Sequence, residues 1–251
     1  MTKFQKNSLY VFLILFVLAV VFSYVVNMHF DIPAKPWHMQ PFQNEDSLSV
    51  DYHGNYSLLD RVPLSARFYD SSQVNVFILV DAWGVPFDAD SLENDFSFFG
   101  NVPHSTYLHY RIANRTRHAE HVELRQKDSL SIFIFGGDSL EYGRKDYIPR
   151  LGFGQDVFFQ KCDDSIMLSK IDSLLNGGEY KSIAWTTQNS RDGNLETLRK
   201  TLMGIANIAK RHRDVRFVVQ GTHRPILGTP EVRKKYYAHW VPVVVIGGKD
   251  R

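Results

Sequence analysis

The sequence predicts an α/β domain built on a mostly parallel sheet with helices on both faces, preceded by one transmembrane helix. Three observations predict it. The stretch Val74-Asn-Val-Phe-Ile-Leu-Val80 is almost wholly apolar and ends in Asp81, as a strand buried on both faces of a parallel sheet requires. Short apolar strands then alternate with helical patterns to the end of the chain. Ahead of them, Asn7 to Met28 contains no charged residue.

The uncharged segment comes first in the chain. Leu9 to Val26 is nearly all Leu, Val, Phe and Ile, and its helical length approaches the roughly 30 Å hydrocarbon core of a bilayer. Lys3 and Lys6 precede it and Asp31 follows, so the positive-inside rule places the N-terminus in the cytoplasm and the rest outside it. A cleaved signal peptide is the rival. Its apolar region is shorter, about 7–15 residues, and ends in small residues, whereas this one ends Phe22-Ser-Tyr-Val-Val-Asn27 without an Ala-x-Ala site. The expected organisation is a cytoplasmic N-terminus over 1–7, an anchor over 8–27, a stalk and domain lead-in over 28–73 and the α/β domain over 74–251. Pro33, Pro36, Pro41 and Pro63 mark the stalk.

Composition excludes several classes of function. The chain has 251 residues, 44% of them hydrophobic, and a formal charge of +2, enough for one good core. Nothing concentrates basic charge as nucleic-acid phosphates require. Lys210, Arg211, His212 and Arg213 close a helical pattern, where cations suit the dipole anyway. The single cysteine, Cys162, rules out an intrachain disulfide and a thiolate metal cluster. A free thiol describes it better than a nucleophile, since no His is near it in sequence. No Gly-x-Gly-x-x-Gly or Walker sequence follows any strand, which disfavours nucleotide binding.

The expected strands are Val74–Val80, Ser131–Phe135, Ser182–Thr186, Val215–Gln220 and Val241–Ile246. Between them, Ile166, Met167, Ile171, Leu174 and Leu175 mark one helix, and Leu195, Leu198, Leu202, Ile205 and Ile208 mark another, amphipathic one. Parallel strands gather their carboxyl ends along one edge, where open α/β sheets bind ligands. Those ends read Asp81-Ala-Trp-Gly, Gly136-Gly-Asp138-Ser, Thr186-Thr-Gln188-Asn-Ser-Arg191, Gly221-Thr222-His223-Arg224 and Gly247-Gly.

Asp81, Asp138 and His223 have the chemistry of metal ligands, since carboxylate oxygen and imidazole suit zinc or manganese. Each also has a plain structural reading: Asp81 and Asp138 as helix or turn caps, His223 as a loop hydrogen-bonder. Ser105, Thr106 and Thr116 are the hydroxyl candidates. Thr116, among Asn114, Arg115, Arg117 and His118, has neighbours that favour an anion, although the cluster equally suits the solvated start of a helix. Arg191 and Arg224 follow strands and could clasp a phosphate or sulfate. Trp83 and Trp185 are the better candidates for sugar platforms, the core being the commoner place for such rings.

At these residues the chain resembles the alkaline phosphatase superfamily, which includes sulfatases, phosphopentomutases and lipoteichoic acid synthases. Strand-Asp81-x-Trp-Gly is similar to that family's first metal-binding strand. Ser131-Ile-Phe-Ile-Phe-Gly-Gly-Asp-Ser-Leu with Tyr147-Ile-Pro-Arg-Leu-Gly-Phe153 resembles a synthase-type segment. Val215 to His223 sits where the family has strand, Asp, His and Gly, and Val241-Pro-Val is similar to the Val-Pro strand after it. The resemblance implies an alkaline phosphatase-like fold from about Val74 to Ile246. It implies Thr116 as nucleophile, in a Thr-x-x-x-Glu spacing to Glu120 without the usual glycines. Asp81, His223, Asp138 and His239 become the ligand candidates for a divalent metal (zinc, manganese, magnesium or calcium), with Arg115, Arg117, Arg191 and Arg224 steadying the anion. The implied activity is hydrolysis or transfer of a phosphate or sulfate ester on an envelope lipid or glycan. Thr222 stands where an Asp ligand is expected, and Arg224-Pro225 replaces the usual Gly. Losing that carboxylate weakens a metal site, so the alternative is a non-catalytic binding or scaffold module of the same fold. The partners expected are the membrane and an anionic envelope lipid or glycan, not nucleic acid.

Overall fold

In a computed structural model of the chain, residues 10–22, 48–49, 52, 56–59, 62–111, 115–126, 128–188 and 194–247 are described. The chain divides into two units, Met1–Gln43 and Asn44–Arg251. In the first, residues 10–22 are helical with exposed apolar side chains. No helix among the described residues is long and apolar enough to cross a membrane. The span expected over 8–27 runs past this helix at both ends into residues outside the described ones.

The second unit is built on one sheet of eight strands: β1 (Ser57–Leu59), β2 (Asn75–Val80), β3 (His104–Tyr110), β4 (Ser131–Phe135), β5 (Gln155–Phe158), β6 (Ser182–Thr186), β7 (Arg216–Gly221) and β8 (Trp240–Ile246), in the order β1-β3-β8-β7-β2-β6-β4-β5. β2 pairs in parallel with β6 and β7, and β4 in parallel with β5 and β6. β8 alone runs against its neighbours β3 and β7. The sheet is therefore mostly parallel, as its apolar strands predict.

β2 lies mid-sheet with all six residues buried. Its side chains alternate between two cores: Val76, Ile78 and Val80 join one, Phe77 and Leu79 the other. Each such side chain contributes roughly 1.5–3 kcal/mol by leaving water, which explains why no polar residue interrupts the strand's interior. The Asp164–Gly177 helix starts where Asp163 accepts from the Ile166 N–H and stops at left-handed Gly178. The Leu195–Arg211 helix is capped by Asn194 and buries Leu198, Leu202 and Ile205. Both match the helical periodicities in the sequence.

Three strands lie where no strand is expected. β1 comes from the proline-rich lead-in, whose Leu48, Tyr52 and Tyr56 are buried in the domain core. β3 carries Ser105 and Thr106 in its register with β8. Its sequence, His-Ser-Thr-Tyr-Leu-His-Tyr, is too polar to signal a strand, and β8 supplies the pairing. β5 is a short edge strand of mixed exposure. The reversal of β8 also corrects one expectation: its carboxyl end, with Gly247, lies away from the edge where the parallel strands finish.

Candidate functional site

At the carboxyl edge of the three central strands, Asp81 follows β2, Thr187 follows β6, and Thr222 and His223 follow β7. The backbone turns immediately after β2 at Ala82, whose φ of 58° is left-handed and costs about 1 kcal/mol for a residue with a side chain. That turn is held from both sides. Thr187 Oγ1 accepts from the Asp81 N–H at 2.9 Å and Thr222 Oγ1 accepts from the Ala82 N–H at 3.2 Å. Gly221 is required beside it, because a Cβ there would meet the Trp83 carbonyl oxygen at 1.8 Å. Asp81 is no helix cap: the next helix, Ala89–Ser97, begins after Asp88.

The Asp81 carboxylate gathers the other groups. Its Oδ1 lies 2.7 Å from Thr116 Oγ1, 2.9 Å from Thr222 Oγ1 and 3.2 Å from His223 Nε2. Thr116 Oγ1 is also 3.1 Å from His223 Nε2. His223 Nδ1 sits 2.6 Å from the Arg224 carbonyl oxygen. A carbonyl only accepts, so Nδ1 carries a hydrogen and Nε2 is the nitrogen turned to Thr116 and Asp81. All four side chains are buried, none more than 4% exposed.

The Thr116–Glu123 helix brings its hydroxyl to this point through two buried carboxylates further along the same helix. Glu120 receives Arg144 Nη2 at 2.8 Å and Nε at 3.0 Å, and the Tyr147 hydroxyl donates to it as well. Arg144 lies with its guanidinium 3.7 Å from the centre of the Phe135 ring. Burial opposes its charge, but Glu120 outweighs burial and holds the guanidinium pKa above its ordinary value. Burial and then the Glu120 charge push the Tyr147 phenol upward. Glu123 accepts from Arg111 Nη1 at 3.1 Å and from the Leu64 N–H at 3.0 Å. The Thr-x-x-x-Glu spacing thus works as an anchor: one helical turn separates the hydroxyl in the site from the carboxylate that fixes the helix.

Of the residues expected in the site, Asp81, Thr116 and His223 come together. Asp138 is exposed, and its Oδ1 accepts from the Leu140 N–H at 2.9 Å, so it caps a turn. His239 Nδ1 bonds the Arg111 carbonyl oxygen at 2.8 Å, and its ring stacks near Tyr110. Arg117 lies over the Tyr147 ring at 5.0 Å, and Arg224 Nη1 reaches the Tyr236 carbonyl at 3.5 Å. Arg115 is the residue before the Thr116 helix. Arg191 and Asn114 lie outside the described residues. Trp83 and Trp185 are corrected from platforms to core, at 1% and 0% exposure: Trp83 follows the left-handed turn at Ala82, Trp185 lies within the buried β6, and both join the same core cluster. Thr187 is a site residue that its place in the Thr186-Thr-Gln188 strand end signalled only as one polar residue among several.

A catalytic divalent-metal site takes about three protein ligands from His, Cys, Asp and Glu. Here two hydroxyls already approach one oxygen of Asp81, and Thr222 stands where the resemblance leads one to expect a second carboxylate. Among the described residues no three such side chains cluster closely enough to hold a metal ion. The donor set among the described residues does not fit a resident divalent metal.

These features define a class: an α/β protein with a hydroxyl, carboxylate and imidazole collected at the carboxyl edge of a parallel sheet. Its fold is alkaline phosphatase- and sulfatase-like. The structure is similar to the lipoteichoic acid synthase LtaP from Listeria monocytogenes, at 10% identity and a TM-score of 0.52, covering 72% of this chain and 67% of that one. It is similar to an alkaline phosphatase superfamily protein from Vibrio parahaemolyticus, at 15% identity and a TM-score of 0.53, covering 76% of this chain. The chain spans 63% of the Vibrio protein's length. No family model and no curated protein matches the sequence.

Proposed function

We propose that this protein hydrolyses or transfers a phosphate or sulfate ester of an envelope lipid or glycan, with Thr116 as the attacking hydroxyl. One observation carries the reading: Thr116 Oγ1 is held between Asp81 Oδ1, to which it donates at 2.7 Å, and His223 Nε2 at 3.1 Å. In this arrangement His223 accepts the hydroxyl proton as Oγ1 attacks phosphorus or sulfur. Asp81 then balances the imidazolium that results. The ester oxygen departs with the bonding electrons and takes a proton from solvent. The imidazolium returns its proton to solvent, and water or an acceptor alcohol then displaces Thr116 from the covalent ester, its proton passing through the imidazole to the departing Oγ1. Arg115 and Arg224 flank the two sides of the site in sequence and are the proposed anion contacts, with Arg117 and Arg191 as further candidates. That LtaP is a lipoteichoic acid synthase supports an envelope phosphoester as the substrate class.

The same reading places the domain outside the cytoplasm, held by the N-terminal apolar segment. The exposed apolar helix over 10–22 supports this. N-terminal sequencing of the mature protein tests it, since a start beyond Asn27 would remove the anchor.

A second reading has its own support. The four buried groups satisfy one another, and Thr222 donates where a ligand carboxylate is expected. On that reading the chain keeps the fold and binds an anionic envelope ligand without turnover. Assay of the full chain on aryl phosphate and aryl sulfate esters separates the two. Turnover that Thr116→Ala and His223→Ala both abolish supports the enzyme. Saturable binding of such an ester with no turnover supports the binding module. Turnover unaffected by Thr116→Ala would defeat the nucleophile assignment.

A further inference from the structure

A cavity of about 920 Å³ opens beyond the C-terminal end of the Thr116–Glu123 helix, at the far end from Thr116. Eight residues of helix span about 12 Å, so it is separate from the Asp81 site. Its size lies in the range of small-molecule sites, roughly 300–1,000 Å³. The walls are pinned. The Leu64 N–H donates to Glu123 Oε2 at 3.0 Å, and the Gln126 N–H donates to the Leu151 carbonyl at 2.9 Å. Gly152, at a left-handed φ of +89°, permits that second contact, since a Cβ there would meet the Gln126 carbonyl at 2.1 Å.

The lining combines three chemistries. Ala66 and Leu151 supply apolar surface, and Arg125 and Arg150 stand exposed at the rim. Gln126 lines the cavity at 7% exposure, and its Nε2 is buried with no hydrogen-bond partner among the described residues. A buried N–H donor left unmet is costly, and Gln126 belongs to the wall of this cavity. The one lining carboxylate, Asp128, is already engaged: Oδ1 accepts from the Leu130 N–H at 2.8 Å and Oδ2 faces the Tyr69 hydroxyl at 3.4 Å.

We infer that this cavity is a second binding site, for a small anion with an apolar body, such as an aryl or alkyl phosphate, phosphonate or carboxylate. The apolar body sits against Ala66 and Leu151, the acidic head meets Arg125 and Arg150, and one head oxygen accepts from Gln126. Two guanidinium groups against one engaged carboxylate favour an anion over a neutral ligand. The site is independent of any chemistry at Thr116.

Calorimetric titration of the full chain with phenylphosphonate tests it, with inorganic phosphate as the head alone. Saturable one-to-one binding is expected, tighter for phenylphosphonate than for phosphate. Replacing Arg125 and Arg150 together by Ala is expected to weaken it about tenfold, and Gln126→Leu by a similar factor. Asp81→Ala is expected to leave it unchanged, whether or not the Asp81 site turns over esters. Absence of saturable binding overturns the site, as does equal affinity for phosphate. So does affinity kept by both the arginine and the Gln126 variants, or binding lost in Asp81→Ala, which would belong to the other site.

Discussion

Thr222 donates to Asp81 Oδ1 across 2.9 Å, so a hydroxyl occupies the position from which a second carboxylate would face the first. A hydroxyl brings no second negative charge to a site that is fully buried at Thr222 and 1% exposed at Asp81. A hydroxyl there satisfies Asp81 by hydrogen bonding. A carboxylate there would need a cation between the two.

That relation predicts the behaviour of Thr222→Asp. Without metal, two buried carboxylates repel each other and the variant is destabilised relative to the native chain. With zinc or manganese, Asp81, His223 and the carboxylate introduced by the substitution form a three-ligand set, and binding to the folded state stabilises it. Melting temperature measured in chelator and in excess metal checks this. A rise on adding metal that the native chain lacks is the expected result, and equal responses of the two proteins would refute it.

The Glu120–Arg144 pair predicts a different loss. Glu120→Ala leaves a fully buried guanidinium without its carboxylate, a change that destabilises by about 3–5 kcal/mol. For a domain of this size that lowers the Tm on the order of 10 °C. Thermal melts of Glu120→Ala and of the Glu120→Leu, Arg144→Met double variant check it. The double variant is expected to recover much of the loss, because the uncompensated charge is gone.

Asp95 predicts a pH dependence. It lies 5% exposed, with Trp83 Nε1 donating to Oδ2 at 3.1 Å and Arg199 Nε 3.5 Å from Oδ1. Desolvation raises its pKa, against the lowering effect of Trp83 and then Arg199. With the folded value above the unfolded value of roughly 3.9, its stabilising contribution is complete below the unfolded pKa and falls as pH rises through the folded pKa. Asp95→Asn keeps an acceptor for Trp83 and removes this loss. Denaturant melts at a series of pH values from acid to neutral are expected to show the variant gaining on the native chain as pH rises. A constant difference between the two would contradict the assignment.

Gly221 predicts a steric failure at the site itself. A Cβ at Gly221 would lie 1.8 Å from the Trp83 carbonyl oxygen, so Gly221→Ala must displace the turn that carries Asp81. Loss of esterase turnover or ligand binding together with a lower melting temperature is the expected outcome. Native activity and stability in this variant would mean that the turn tolerates the displacement.

Much of this architecture was legible in the residues. β4 and β6 coincide with the apolar runs Ser131–Phe135 and Ser182–Thr186, and β2, β7 and β8 differ from theirs by one residue at one end or both, because strands buried on both faces must be apolar throughout. The same reasoning pointed to Asp81 and His223 past two such strands and family resemblance to Thr116, and the structure brings these three side chains together. β1 and β3 escaped it. The three-residue β1 and the polar β3 become strands only through partners distant in the chain: β1 through β3, and β3 through β8.

The sequence by itself determined the alternation of strands and helices and the residues that end each parallel strand, since local burial and periodicity write both directly into residue type. Tertiary structure alone decided which of those ends meet. It reversed β8, turned Asp138 and His239 to backbone partners, buried Trp83 and Trp185, and drew Thr222 onto Asp81. Those outcomes depend on sheet order and on the left-handed turn at Ala82, where contacts between residues more than a hundred positions apart set the geometry. No local pattern records such contacts.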